Sequence, residues 1–215
     1  MNGGTRDVTY RYVTMFSIYV PVSNIVKRPC GRIRRVVMKK TVVPSAERPA
    51  RAVDKIRASA SELFYREGIR AVVVDEVVGR AGVTKPSLYR SFASKDDLAA
   101  AYLRDYELDF WQKFEKPGGK SYSDAREHVL AYIRWLSVRA KSKGYRGCGL
   151  SNATVEYPSR DNPARQVAEA HKIVFRRRLR DLAAAMGARN PAVLGDALLL
   201  LIEGIYVTGQ QSEEG

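Results

Sequence analysis

Between Thr84 and Arg90 the chain reads TKPSLYR, and its polar side chains are of a kind that grips rather than cuts. Thr84 and Ser87 offer hydroxyls, Lys85 and Arg90 offer cationic donors, and Tyr89 offers a phenol. Spread over little more than one helical turn, these groups suit phosphate oxygens and the edges of bases. Pro86 falls in the first turn of a helix here, where its missing N–H costs nothing. Leu88 points the other way, toward a core that includes Val77, and Phe92 does likewise. Elsewhere the chain offers no paired-carboxylate motif, no Ser-His-Asp arrangement and no phosphate loop, so no enzyme activity, cofactor or catalytic residue is expected. His128 and His171 are isolated in sequence, and no metal site is expected.

The groups on TKPSLYR need a short helix held clear of its supports. Val74 to Ala81 has the period of a short helix closed by Gly82, and Thr84 can cap a second one from Lys85 through Tyr89. Two short helices joined by a tight glycine turn make a helix-turn-helix, in which the second lies in the major groove of DNA. Upstream, Val53, Ile56, Ala60, Leu63 and Phe64 form a helical stripe, and Gly68 sits where a left-handed cap belongs. Ser94 caps a longer fourth helix with Leu98, Tyr102, Tyr106 and Phe110 on one face. It ends at Lys116-Pro117-Gly118-Gly119, the strongest linker signal in the chain.

Beyond that linker the periodicity remains helical. Ser123 is expected to cap a helix carrying Val129, Tyr132, Ile133, Leu136 and Ala140, and a short helix from about Leu150 to Tyr157 stops at Pro158. Asn162-Pro163 and Asn190-Pro191 each open a further helix, the first running through Met186, the second from Ala192 to Val207. The expected fold is all-α: a three-helix helix-turn-helix domain over 48–96, then a helical ligand-binding and dimerisation domain over 97–215.

The net charge of +14 on 215 residues favours a polyanionic partner, and residues 1 to 50 supply +8 of it. Residues 1–47 lack helical or strand period and are broken by glycine and proline, so a poorly ordered basic leader is expected. Met38 precedes KKTVVPSAERPAR, and translation starting there would make the first 37 residues an overrun; a basic arm on DNA phosphates is the alternative. VTMFSIYVPV lacks a cleavage site, which argues against secretion. No run of 18 apolar residues occurs, so no membrane span is expected. Cys30 and Cys148 match no metal or disulfide spacing and suit a reducing cytosol.

From Ile56 to Leu98 the sequence resembles the TetR family of repressors. The resemblance lies in IRASASELFYREGIRA, VDEVVGRAGVTKPSLYRSF and ASKDDLAAAYL, and in particular in Leu63-Phe64, Gly68, Asp75, Ala81-Gly82-Val83, Leu88-Tyr89, Phe92 and Ser94-Lys95. It implies a cytoplasmic, ligand-responsive transcriptional repressor that binds double-stranded DNA at a palindromic operator, with Lys95 anchoring a phosphate beside the helix N-terminus. It also implies a homodimer through the last two helices, and release from DNA by a small-molecule inducer. RGCGLSNATVEYP and DNPARQVAEAHKIVFRRRLRDLAAAMG look like the sensor half. Pocket candidates there are Phe110, Phe114, Tyr132, Trp135, Asn152, Glu156 and His171, with Cys148 as a thiol that Arg146 could activate. LGDALLLLIEGIYV is apolar on nearly all sides and looks like a subunit interface. Relatives of this kind usually continue past TGQQSEEG, so a truncated C-terminus is an expectation too.

One departure bears on function. The family usually has Thr or Ser just before the second helix, where this chain reads Val72-Val73-Val74, and losing such a cap typically costs ~1 kcal/mol. Asp75 is expected to substitute in part at the positive helix end. The alternative function, a small-molecule binding or sequestering protein with a weakened DNA-binding half, rests on this change and on the short C-terminus.

Overall fold

The structure, a computed structural model, describes residues 51–211; the basic leader, Met38, Cys30 and the last four residues lie outside them. Helix α1 (Ala52–Glu67) buries Ile56, Ala60, Leu63 and Phe64, the expected stripe. Gly68 returns its N–H to the Phe64 carbonyl at 3.2 Å with φ +93° and ψ 147°. Its φ is left-handed as expected, but ψ is extended, because the chain turns straight out toward Ile69 instead of closing a left-handed cap.

Helix α2 (Val74–Ala81) ends at Gly82, which is left-handed (φ 62°, ψ 39°), and the Val83 N–H reaches back 3.0 Å to the Val78 carbonyl. That glycine makes the turn, since an L side chain there would be strained. Helix α3 (Lys85–Tyr89) follows at once, then α4 (Lys95–Glu115), whose cap is the Ser94 hydroxyl accepting from the Asp97 N–H at 3.0 Å. A 3-10 turn at Pro117–Gly119 leads to α5 (Ala125–Ala140). Asp124, not Ser123, caps α5, its carboxylate accepting from the Glu127 N–H at 2.8 Å. A carboxylate complements the positive helix end better than a hydroxyl, and Asp124 stands one residue nearer.

Helices α6 (Gly149–Glu156), α7 (Pro163–Ala185) and α8 (Pro191–Thr208) complete the bundle. Asn162 and Asn190 cap the last two as their Asn-Pro openings predict. Among the described residues there is no strand, and the fold is all-α.

The long α4 joins the whole. It packs against α1 on one side of the sequence and against α6 and α7 on the other. Phe64 of α1 meets Tyr102 edge-on at 5.7 Å, and farther along, Phe110 and Phe114 meet Phe175 of α7 at 5.1 and 5.3 Å. Helices α7 and α8 pack along each other, so closely at Gly195 that a Cβ there would fall 2.6 Å from the Arg180 Cα. Asp196 accepts from both Arg176 and Arg180, and Glu203 pairs with Lys172.

The stretch Pro191–Gln211 is by length and composition apolar enough to cross a membrane, although only 17% of its most apolar window is buried. Counting uninterrupted apolar residues missed it because Asp196 and Glu203 break the run. Both carboxylates face the cations of α7, so this helix has its charged side against protein.

Candidate nucleic-acid interface

Leu88 is fully buried and Phe92 nearly so, and with Val77 they pin α3 to the core. Everything polar on α3 is thereby turned outward. Thr84, Lys85, Pro86, Tyr89 and Arg90 are exposed, and Ser87 is half-buried. Tyr89 keeps 50% of its surface open, so its ring and hydroxyl are available to a partner.

The polar groups are strung together. The Thr84 hydroxyl lies 3.1 Å from that of Ser87, which accepts from the Arg90 guanidinium at 2.7 Å. Thr84 stands at the N-cap position, yet its side chain caps no backbone N–H; the neighbouring Ser87 hydroxyl takes it instead. The Lys85 ammonium pairs with Asp75 of α2 at 2.8 Å. The exposed start of α2 is served by Glu76, whose carboxylate accepts from the Val73 N–H at 3.0 Å. Asp75 and Glu76 both stand in the first turn of α2, where a positive helix end favours carboxylates, and Glu76 adds the tie to the Val73 N–H. The reach-back from the third helical position is half of a capping box and needs no hydroxyl at position 73.

Lys95 opens α4 and is half-buried. It donates to the Arg70 carbonyl at 3.1 Å, while the Arg70 N–H donates to Glu156 at 2.8 Å. Burial pushes the Lys95 ammonium below its ordinary value, with the nearby Asp96 acting against that. Asp96, next in α4, accepts from the Tyr157 hydroxyl at 3.0 Å and from Asn162 at 2.9 Å. The end of α6 and the start of α7 thus clasp the foot of α4 beside the candidate interface.

The eight candidate ligand residues do not share one cavity. Phe110, Phe114, Tyr132 and His171 belong to a packed aromatic interior, with Phe110 and His171 ring centroids 4.4 Å apart. The Tyr132 hydroxyl meets that of Tyr206 at 2.7 Å and closes this interior against α8. Phe110, Tyr132 and Trp135 border a void of only about 10 Å3, room for little more than a water. Asn152 and Glu156 line a separate surface hollow of about 390 Å3. Asn152 spends its amide on the Arg146 carbonyl at 2.7 Å, and Glu156 is tied to Arg70. Cys148 is 1% exposed, so its thiol is closed to an electrophile from solvent, and the exposed Arg146 stays outside.

His171 has a partner that sequence spacing could not show. Its Nδ1 lies 3.2 Å from Glu107 of α4, which also accepts from Trp111, while its Nε2 is buried without a partner. His128 shares a hydrogen bond with the Phe114 carbonyl at 2.7 Å. Among the described residues no cluster of His, Cys, Asp and Glu could hold a metal.

Residues 56–102 match the sequence profile of the bacterial regulatory proteins, tetR family. A TetR-family transcriptional regulator from Streptomyces coelicolor has a solved structure that aligns with a TM-score of 0.71 and 31% identity over 76% of this chain and 86% of that one. Among curated relatives, the HTH-type transcriptional activator FasR of Mycolicibacterium smegmatis is 32% identical over 56% of this chain and 52% of its own length. The HTH-type transcriptional repressor BdcR of Escherichia coli is 39% identical over 33% of this chain and 36% of its own. The matched segments thus span about half or less of these two curated relatives. The helix-turn-helix, the all-α architecture and the likeness across most of the Streptomyces chain come together in one assignment: this protein belongs to the TetR family of bacterial regulatory proteins.

Proposed function

We propose that this chain is a cytoplasmic transcriptional repressor that binds palindromic double-stranded DNA as a homodimer and is released by a small-molecule inducer. The observation that carries this is the outward face of α3, where Thr84, Lys85, Tyr89 and Arg90 stand in solvent beside a half-buried Ser87 on a helix fixed by buried Leu88. Pro86 sets the entry of α3, and Lys95 adds a cation at the foot of α4. Dimerisation is supported by α8, which leaves Val193, Leu200, Leu201 and Val207 exposed, with Ile173 of α7. Such an apolar face on a charged protein is suited to a second copy. In the dimer, two recognition helices about 34–36 Å apart read half-sites one DNA turn apart, and a few ångströms of movement release them.

The test is selection of binding sites from random DNA, followed by titration of the recovered site. A palindrome is expected, with affinity falling as salt rises. Lys85→Ala should weaken binding to all sequences and lower the salt slope by about 1, and Tyr89→Ala should weaken it as well. Recovery of unrelated sequences with no symmetry would overturn the proposal. A reporter under the recovered site, rising when the protein is removed, separates repressor from activator. Against the sequestering alternative, Glu76 braces the start of α2 by accepting from the Val73 N–H.

A further inference from the structure

A cavity of about 600 Å3 opens between α1, α4 and the end of α5, within the range typical of small-molecule sites. Tyr65 comes to it from α1, Tyr102 and Tyr106 from α4, Arg139 from α5, and Lys143 from the segment after α5. Its acids are already neutralised: Glu62 pairs with Arg66 and Arg80 at 3.4 and 3.0 Å, and Asp109 pairs with Lys113. Its other cations are not. Among the described residues, neither Arg139 nor Lys143 has a carboxylate partner.

Arg139 is half-buried, with its guanidinium carbon 5.4 Å from the Trp135 ring and 5.9 Å from the Tyr145 ring. Its electrostatic neighbours are the phenols of Tyr106, Tyr65 and Tyr145. Aromatic faces hold a guanidinium flat and in place without cancelling its charge. A partly desolvated, pre-oriented cation of this kind lacks the anion that would restore its lost hydration, and its planar fork matches a carboxylate bidentately. Beside it the Tyr65 and Tyr106 rings stack at 6.1 Å with 23° between planes, and Tyr102 meets Tyr106 edge-on at 6.1 Å. Those rings make a wall suited to a flat apolar body.

We propose that this cavity binds an aromatic monocarboxylate, with the carboxylate on the Arg139 fork, Lys143 as a second cation, and the ring against Tyr65 and Tyr106. The ligand sits beside the packed aromatic interior, and Arg139 and Tyr106 also border the small void there, next to Phe110 and Tyr132. The hydroxyls of Tyr65 and Tyr106 both donate to the Gly147 carbonyl, at 3.2 and 3.5 Å, so a ligand that shifts these rings also shifts the loop entering α6. As a binding site this stands alone; as the inducer site it rests on the DNA-binding function proposed above.

The experiment is calorimetric titration of the full chain with 1-naphthoate and with its neutral counterpart 1-naphthamide. Naphthoate is expected to saturate one site per chain, and the amide to bind about ten-fold more weakly or worse. Arg139→Gln should cut that preference to the two- to five-fold that Lys143 alone supplies, about the scale of an exposed ion pair. Lys143→Gln, at an exposed position that no packing depends on, should weaken naphthoate about two- to five-fold and leave the amide unchanged. Arg134→Gln, exposed on the same helix, should change neither. Absence of saturable binding, equal binding of acid and amide, or naphthoate binding indifferent to both the Arg139 and Lys143 changes would overturn the site. With operator DNA present, naphthoate that binds without displacing DNA overturns the inducer role alone. A chain that never binds DNA overturns the repressor function and leaves the calorimetry standing.

Discussion

The ammonium of Lys85 lies 2.8 Å from the carboxylate of Asp75, so the first cation of α3 is held by α2 before any DNA arrives. Both side chains are exposed, and the hydrogen bond to Asp75 is the main reason the Lys85 pKa stands above its ordinary value. That bond must open if Lys85 is to reach a phosphate.

Removing the competitor should therefore help DNA binding. Asp75→Asn is expected to tighten binding to the selected site about two- to five-fold at low salt, the scale of an exposed ion pair, with the gain fading as salt screens it. Fluorescence anisotropy across a salt series measures this. Unchanged affinity at low salt would mean that Lys85 and Asp75 remain paired on DNA.

Acid should loosen the joint between α4 and α7. Burial pulls His171 below its ordinary 6.5, with the Glu107 hydrogen bond opposing, and Glu107 is held below its ordinary 4.5, chiefly by that same bond. A group whose folded pKa is depressed stabilises the protein above its ordinary pKa, and that stability is lost as pH falls. For His171 the loss begins once the pH drops past 6.5. The melting temperature should fall between about pH 7 and about pH 5, and His171→Phe, which fits among Phe110, Trp111 and Phe175, should flatten that drop. An equally steep fall in the variant would place the acid sensitivity elsewhere.

The exposed face of α8 makes a separate prediction. Leu200 and Leu201 are 73% and 53% exposed, so charging both with Leu200→Glu and Leu201→Glu should leave helix content intact by circular dichroism. Sedimentation should show a dimer become a monomer, and the weakened DNA binding should follow from lost pairing of half-sites. A variant that stays dimeric would point to another interface.

The clasp on α4 predicts a loss of response rather than of binding. Tyr157 donates to Asp96 at 3.0 Å, and burial followed by this bond raises its pKa above the ordinary value. Tyr157→Phe keeps the ring and removes the tie. DNA affinity in the absence of inducer should stay within about two-fold, while the inducer concentration needed for release should rise several-fold, the scale of one neutral hydrogen bond. Band shifts titrated with inducer read both quantities.

Most of the architecture was legible because helix boundaries are local. Gly82, Ser94, Asn162 and Asn190 mark their ends by turn and cap chemistry that acts within a few residues, and the structure places helix ends where those residues stand. The outward face of α3 was legible for the same reason, since Leu88 and Val77 fix which side turns in. What escaped was pairing across the fold. That Asp75 at the start of α2 also holds Lys85 depends on how α3 lies on α2, and that His171 meets Glu107 depends on how α7 lies on α4. Arg139 and Tyr65 share a cavity only once α5 packs near α1. Phe110, Phe114 and Tyr132 turn inward as their spacing predicts and Trp135 only halfway, but periodicity reports burial, and a buried ring fills space as readily as it lines a pocket.

Gly195 sets a limit on how this bundle can deform. With nothing larger than a hydrogen atom between α8 and the Arg180 backbone, and Asp196 bound by two arginines one residue on, α7 and α8 are locked into one slab. Motion between them would have to break packing and charge together. Any displacement begun beside α4 must then be absorbed by α4 and α6, leaving the slab as the stationary frame against which they tilt.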